Sequence, residues 1–303
     1  MHQTKHWTIL LTIALCFMII GCIVPKLSTN IDSTMVEISE PTKLPKTAVV
    51  VKFSGIISED WATDFEKAIS NSKYNLVVLW IESPGGGLAT TKLLSHKLEF
   101  YQKKYNKPVY IYSERVLTSG AYWIASAFDS IYISPVGYTG SIGVYMLRID
   151  AREYYKKWGV TLHYIASDST KIMGNDASEM KDWERKYWQW RIDVAHVNFM
   201  SHVWNHRKEQ LCTSYKMLKL RNVSTMKDTI MVADHFRQIA NGLSYDAKLA
   251  YILGLIDGYM YFDEFVAMLQ DRGFVVETVK GEVIEDFYPA VVKKNSAYYR
   301  RGR

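Results

Sequence analysis

The chain has 303 residues, 48% of them apolar and 22% charged, so disorder is excluded as its main state and a sizeable core is available. The formal charge of +6 is concentrated at one end, where residues 290–303 carry Lys293, Lys294, Arg300, Arg301 and Arg303 and no acid. The rest is nearly neutral, which speaks against a nucleic-acid-binding body and reads the tail as a solvated terminus.

In chain order, residues 1–27 read as a signal peptide or membrane anchor, because Trp7 to Val24 carries no charge and is bracketed by Lys5 and by Pro25 and Lys26. Within it Ile19-Ile20-Gly21-Cys22 resembles a bacterial lipobox, which makes Cys22 a candidate for lipidation. Residues 28–46, rich in Ser, Thr and Pro, read as a tether. The folded domain is expected over 47–289, followed by the basic tail. Cys212 is alone in that domain, so no disulfide forms within it, and no CxxC or Cys/His spacing suggests a metal.

From Ala48 the pattern alternates between short apolar runs and helical periodicity. Strands are expected at 48–53, 75–81, 108–112, 131–134, 142–146 and 161–166, and helices at 60–70, 88–104, 119–128 and 149–158. That alternation predicts an α/β fold with substantial parallel pairing. After Glu179 long helices take over. Trp183, Tyr187, Trp190, Val194, Val197, Ser201 and Trp204 fall on one helical stripe, which reads as core or as a subunit interface. Further helices are expected at 226–241 and 245–253.

Two strand-to-helix turns carry candidate chemistry. Ser83-Pro84-Gly85-Gly86-Gly87 offers close backbone approach and free N–H groups, and lacks the Lys-Ser/Thr of a phosphate loop. Thr118-Ser119-Gly120-Ala121-Tyr122-Trp123 places a serine among small neighbours at a helix start, either as a cap or as a nucleophile. The glycine loop and the Gly120 N–H together suit an oxyanion. For a base, His163 lies in an alternating segment, and Lys171 follows it in a polar loop; spacing alone does not choose between them.

Taken with Phe53-Ser54-Gly55-Ile56-Ile57, Thr139-Gly140-Ser141-Ile142-Gly143-Val144, Ile239-Ala240-Asn241-Gly242 and Gly254-Leu255-Ile256-Asp257, these segments resemble, in order and spacing, the signal peptide peptidase A (protease IV) family over roughly 49–269. The resemblance implies a Clp protease/crotonase-like α/β spiral of strand and helix units, with added C-terminal helices and a membrane-anchored serine endopeptidase acting on remnant signal peptides or other extended apolar polypeptides. It makes Ser119 the nucleophile, Lys171 the general base, and Gly86 and Gly120 the oxyanion donors. It implies no metal or organic cofactor, a peptide or protein substrate, a homo-oligomer, and a catalytic domain outside a bacterial cytoplasmic membrane. The chain departs from the family pattern after Lys171, where Ile172 and Asn175-Asp176-Ala177-Ser178 replace its usual acid and Ser-Pro-x-Arg segment. Residues 207–234 are also longer than is usual there. An inactive, membrane-tethered scaffold is the alternative; acyl-CoA chemistry on the related crotonase fold is a third reading, opposed by the exported N-terminus.

Overall fold

The structure, a computed structural model, describes residues 46–219 and 226–279; the anchor, most of the tether, Cys22 and the basic tail lie outside them. No helix among the described residues is long and apolar enough to cross a membrane.

The central sheet has six strands, all parallel, in the order β8-β5-β3-β2-β1-β9, with β1 at Lys46–Ser54, β2 at Leu76–Glu82, β3 at Val109–Ser113, β5 at Ser130–Ile133, β8 at Gly258–Tyr259 and β9 at Phe274–Thr278. A smaller sheet joins β4 (Val116–Thr118) in parallel to β6 (Tyr138–Gly140), and β6 antiparallel to β7 (Ser244–Asp246). The expected α/β architecture with parallel pairing is therefore what forms.

The central strands read as continuous apolar runs because both sheet faces are covered. Val49, Val51, Val77, Leu79 and Ile111 point to one side, against α1 (Asp60–Ser70), α2 (Leu88–Tyr105) and α3 (Gly120–Ser126). Ala48, Val50, Leu76 and Val78 point to the other, where α8 (Phe262–Asp271) closes the face with Phe265, Val266 and Leu269. α1 buries Trp61, Phe65, Ala68 and Ile69, one stripe of an amphipathic helix. α2 stops at Asn106, which takes the left-handed conformation (φ 49°) that asparagine tolerates at a helix end.

The remaining helices are α4 (Arg152–Lys157), the long α5 (Asp182–Lys219), α6 (Met226–Ile239) and α7 (Ala247–Ile252). α5 buries Ala195, Phe199, Val203, Arg207, Leu211 and Tyr215 at four-residue intervals. The stripe from Trp183 to Val197 therefore faces away from the core, with Trp190 56% and Val197 54% exposed. Of the expected stripe, Trp204 alone takes up the core reading, half-buried against Phe236.

Two expected strands do not form. Residues 142–146 leave β6 without pairing, since β4 and β7 already occupy both sides of that strand. Residues 161–166 have strand-like alternation but meet no sheet edge, and an unpaired strand leaves its backbone groups to solvent.

A buried ion pair fastens α5 to the sheet. Arg207, 1% exposed, donates to both Asp257 carboxylate oxygens (2.7 and 3.2 Å) and to the Gly254 carbonyl (3.3 Å), while Asp257 also accepts the Ile131 N–H (2.8 Å). This explains the Gly254-Leu255-Ile256-Asp257 segment as structural. Removing one partner leaves the other charge buried, so Asp257→Asn is expected to lower unfolding stability by roughly 3 kcal/mol, read by urea denaturation.

Candidate active site

The site is built where β4 turns into α3. The Glu82 carboxylate, at the end of β2, accepts from the backbone N–H groups of Glu114, Arg115 (3.1 Å) and Val116 (3.2 Å), and from the Trp80 indole (3.0 Å). One carboxylate thus shapes the turn from β3 into β4. The Ser83 N–H donates to the Val116 carbonyl and the Thr118 N–H to the Ser83 carbonyl, so β4 runs beside the glycine loop. The Ser119 N–H then donates to the Gly140 carbonyl at 2.9 Å.

Held this way, Ser119 has φ 54° and ψ −126°, a region that a side-chain-bearing residue rarely adopts and that costs about 1–3 kcal/mol. Its side chain makes no capping hydrogen bond, although it stands at the helix start. The cap reading is therefore excluded. A serine on a sharp strand-to-helix turn with its hydroxyl free has the backbone geometry of a nucleophile elbow.

The glycine loop crosses directly over this serine. A Cβ on Gly85, whose φ is 109°, would lie 2.8 Å from the Gly120 nitrogen and 3.1 Å from Ser119 Oγ. A Cβ on Gly120 would lie 2.4 Å from Thr91 Oγ1. Both positions thus require glycine for space. Ser119, Gly86 and Gly120 line one cavity of about 320 Å³, together with Thr91, Trp123, Tyr145 and Phe199. The Gly86 N–H has no protein acceptor among the described residues, and the Gly120 N–H lies in the first turn of α3, where no intrahelical carbonyl is available. Both N–H groups thus belong to residues that line the cavity of the serine hydroxyl.

Lys171 is not brought into this cavity. It lies on an exposed 3-10 turn, Ser169–Ile172, whose start is capped by Asp168 accepting the Thr170 N–H at 2.8 Å. His163 is exposed as well, and neither it nor Lys171 lines the serine cavity. Thr91 was not singled out from the sequence. Its hydroxyl is buried on the cavity wall without a hydrogen-bond partner among the described residues, and only its place in the first turn of α2 after the glycine loop signals it.

The profile of peptidase family S49 matches residues 101–217, a span that takes in Ser119 and Lys171. The serine protease SPPA of Arabidopsis thaliana chloroplasts is 23% identical over 77% of this chain and 31% of its own length. The chain is similar to the SppA-like peptidases of family S49. A Methanocaldococcus jannaschii relative carrying a protease name is 30% identical over 60% of this chain and 50% of its own length. Protease 4 of Haemophilus influenzae is 31% identical over 37% of this chain and 18% of its own. The chain therefore spans about half the length of the first of these relatives that it matches or less. Among solved structures, a membrane-bound stomatin-specific protease in complex with a substrate peptide covers 85% of this chain and 99% of its own, at TM-score 0.47 and 14% identity.

Strain at Ser119 gives an ordering of variants that both lack the hydroxyl. Ser119→Gly is expected to be more stable than Ser119→Ala by about 1 kcal/mol, because glycine accepts the positive φ. Comparative thermal unfolding reads this; an Ala variant as stable as the Gly variant would mean the turn is unstrained. Gly85→Ala is expected to lose several degrees of melting temperature in the same assay, through its contact with the Gly120 nitrogen.

Proposed function

We propose that this chain is a family S49 serine endopeptidase of the Clp protease/crotonase-like fold that cleaves extended, apolar polypeptides, such as remnant signal peptides, at a membrane. The observation that carries the reading is the Ser119 side chain, uncapped and held at positive φ in one cavity with Gly86 and Gly120. Its oxygen attacks the peptide carbonyl and its proton passes to the base. The carbonyl oxygen becomes an oxyanion held by the two N–H groups, the C–N bond breaks with the proton returned to the departing amine, and water releases the acyl group.

Lys171 is the proposed base, and its surroundings in one chain do not suit that role. A free lysine has a pKa of ~10.4, so only about one in 2,500 is neutral at pH 7. Lowering it by ~3 units takes about 4 kcal/mol of environment, supplied by desolvation. Lys171 is exposed, so the desolvating cover is proposed to come from a second copy of this chain. The apolar surface of the segment leading to it supports that occupant: Tyr145, Leu147, Ile149, Trp158 and Ile165, which lie in sequence between Ser119 and the lysine, are exposed, and Ile165 is fully so. The unpaired 161–166 segment and the outward stripe of α5 are the surfaces such a homo-oligomer buries. The charge-free run Trp7 to Val24 supports a tether to the bacterial cytoplasmic membrane, with the peptidase domain outside and Cys22 the residue for a lipid.

Hydrolysis of an unfolded apolar-rich peptide by the full chain in detergent tests the reading. Ser119→Ala and Lys171→Ala are each expected to lower the rate by about 10²- to 10⁴-fold while the assembly survives. An assembled wild type that does not hydrolyse the peptide favours the alternative, a membrane-tethered binding protein. In sedimentation, Ile165→Asp is expected to dissociate the oligomer and remove activity together; a fully active monomer would sink the shared-site proposal.

A further inference from the structure

We infer that Glu99, His202 and His206 form a binding site for a zinc-type divalent cation, clamped between α2 and α5. None of the three takes part in the chemistry proposed above. His202 and His206 are four residues apart on α5 and so share one face of that helix, while Glu99 projects from α2. One ring nitrogen of each histidine and one carboxylate oxygen lie within 4.8 Å of one another. His206 Nε2 is 3.7 Å from a Glu99 oxygen. Two ligands about 2.1 Å from a tetrahedral zinc stand roughly 3.4 Å apart, so closing the site takes only small side-chain adjustments.

The atoms around the three side chains prepare them as ligands. His202 Nε2 meets the Trp123 carbonyl at 3.0 Å, which puts its proton there and leaves the Nδ1 lone pair available. His206 Nδ1 meets the His202 carbonyl at 2.9 Å, which leaves Nε2 as the acceptor facing Glu99. The Ser95 hydroxyl donates to one Glu99 oxygen at 2.9 Å and leaves the other free. Each ligand is thus oriented through its second polar atom, the arrangement that supports metal-binding histidines and carboxylates. His206 is exposed, which gives the ion an entry path and leaves a coordination position for water.

The site lies against the serine cavity without being part of it. The His202 ring stacks on Trp123 (centroids 4.6 Å, 18°), and Trp123 lines the cavity with Ser119. A bound ion would tie α2 and α5 together across that tryptophan.

Calorimetric titration of the full chain in detergent, carrying no added histidines, with zinc chloride tests the site. Wild type is expected to show a saturable site that weakens at least about tenfold in His206→Ala and in Glu99→Gln, and is unchanged in His96→Ala. A zinc-dependent rise in melting temperature should accompany it and vanish in the same two variants. Because His206 is exposed, its variant is expected to keep the wild-type circular dichroism. Absence of a saturable site in wild type, or equal zinc affinity in wild type, His206→Ala and Glu99→Gln, would reduce the cluster to a His206–Glu99 ion pair and overturn the inference.

Discussion

The structure around the cavity depends on holding one side-chain-bearing residue, Ser119, in a backbone conformation it would not choose. Three restraints enforce it: the Glu82 carboxylate fixes the turn into β4, the adjacent Ser83 backbone pairs with Val116 and Thr118, and the Gly140 carbonyl takes the Ser119 N–H. Two come from the end of β2 in the parallel sheet and the third from β6 in the smaller sheet. The strain is small beside the burial of Leu117, Ala121 and Tyr122 immediately around it, and the Tyr122 hydroxyl is anchored on the Leu255 carbonyl at 2.8 Å. A parallel sheet suits this work because its strands end on the same side, where their turns converge.

α5 organises the other half of the molecule by a mixed code. Phe199, Val203 and Leu211 on its inner face fill the core, and between them polar side chains grip main-chain carbonyls of separate segments. His196 Nε2 meets the carbonyls of Ile142 (3.1 Å) and Ala240 (2.8 Å), His202 that of Trp123, Arg207 that of Gly254, and Ser214 that of Ile252. A buried carbonyl needs a donor, so these residues satisfy the loops as well as position them. The helix is consequently amphipathic in a way that hydrophobicity alone does not describe.

That code marks the boundary of what could be read from the sequence. The strands at 46–54, 76–82, 109–113 and 130–133 were legible because they are apolar on both faces, and the two glycine- and serine-bearing turns because their residue types have few other uses. The outward direction of Trp183, Tyr187 and Trp190 was not: periodicity identifies a stripe, but Arg207 and His202 on the opposite side are what the core accepts. Likewise 142–146 and 161–166 have strand patterns, and no local feature announces that an edge is lacking. The exposure of Lys171 depends on surfaces distant in sequence. His202 and His206 were not singled out, because Glu99, which meets them, comes from another helix.

The sheet order also has a consequence for how the polypeptide emerges during synthesis. β1 is the first described strand, yet it lies between β2 and β9, and the Lys73–Glu277 contact that fastens this edge joins residues 204 positions apart. At about 5–20 residues per second, a ribosome takes on the order of ten seconds or more to deliver β9 and α8 after β1 has appeared. Throughout that interval β1 presents an unpaired parallel edge, and Ala48, Val50 and Val78 lack the helix that later covers them. Such an edge invites pairing with the wrong chain. Native closure of the sheet is therefore a late, non-local event, and the nascent protein is most vulnerable at the strand on which the rest is built.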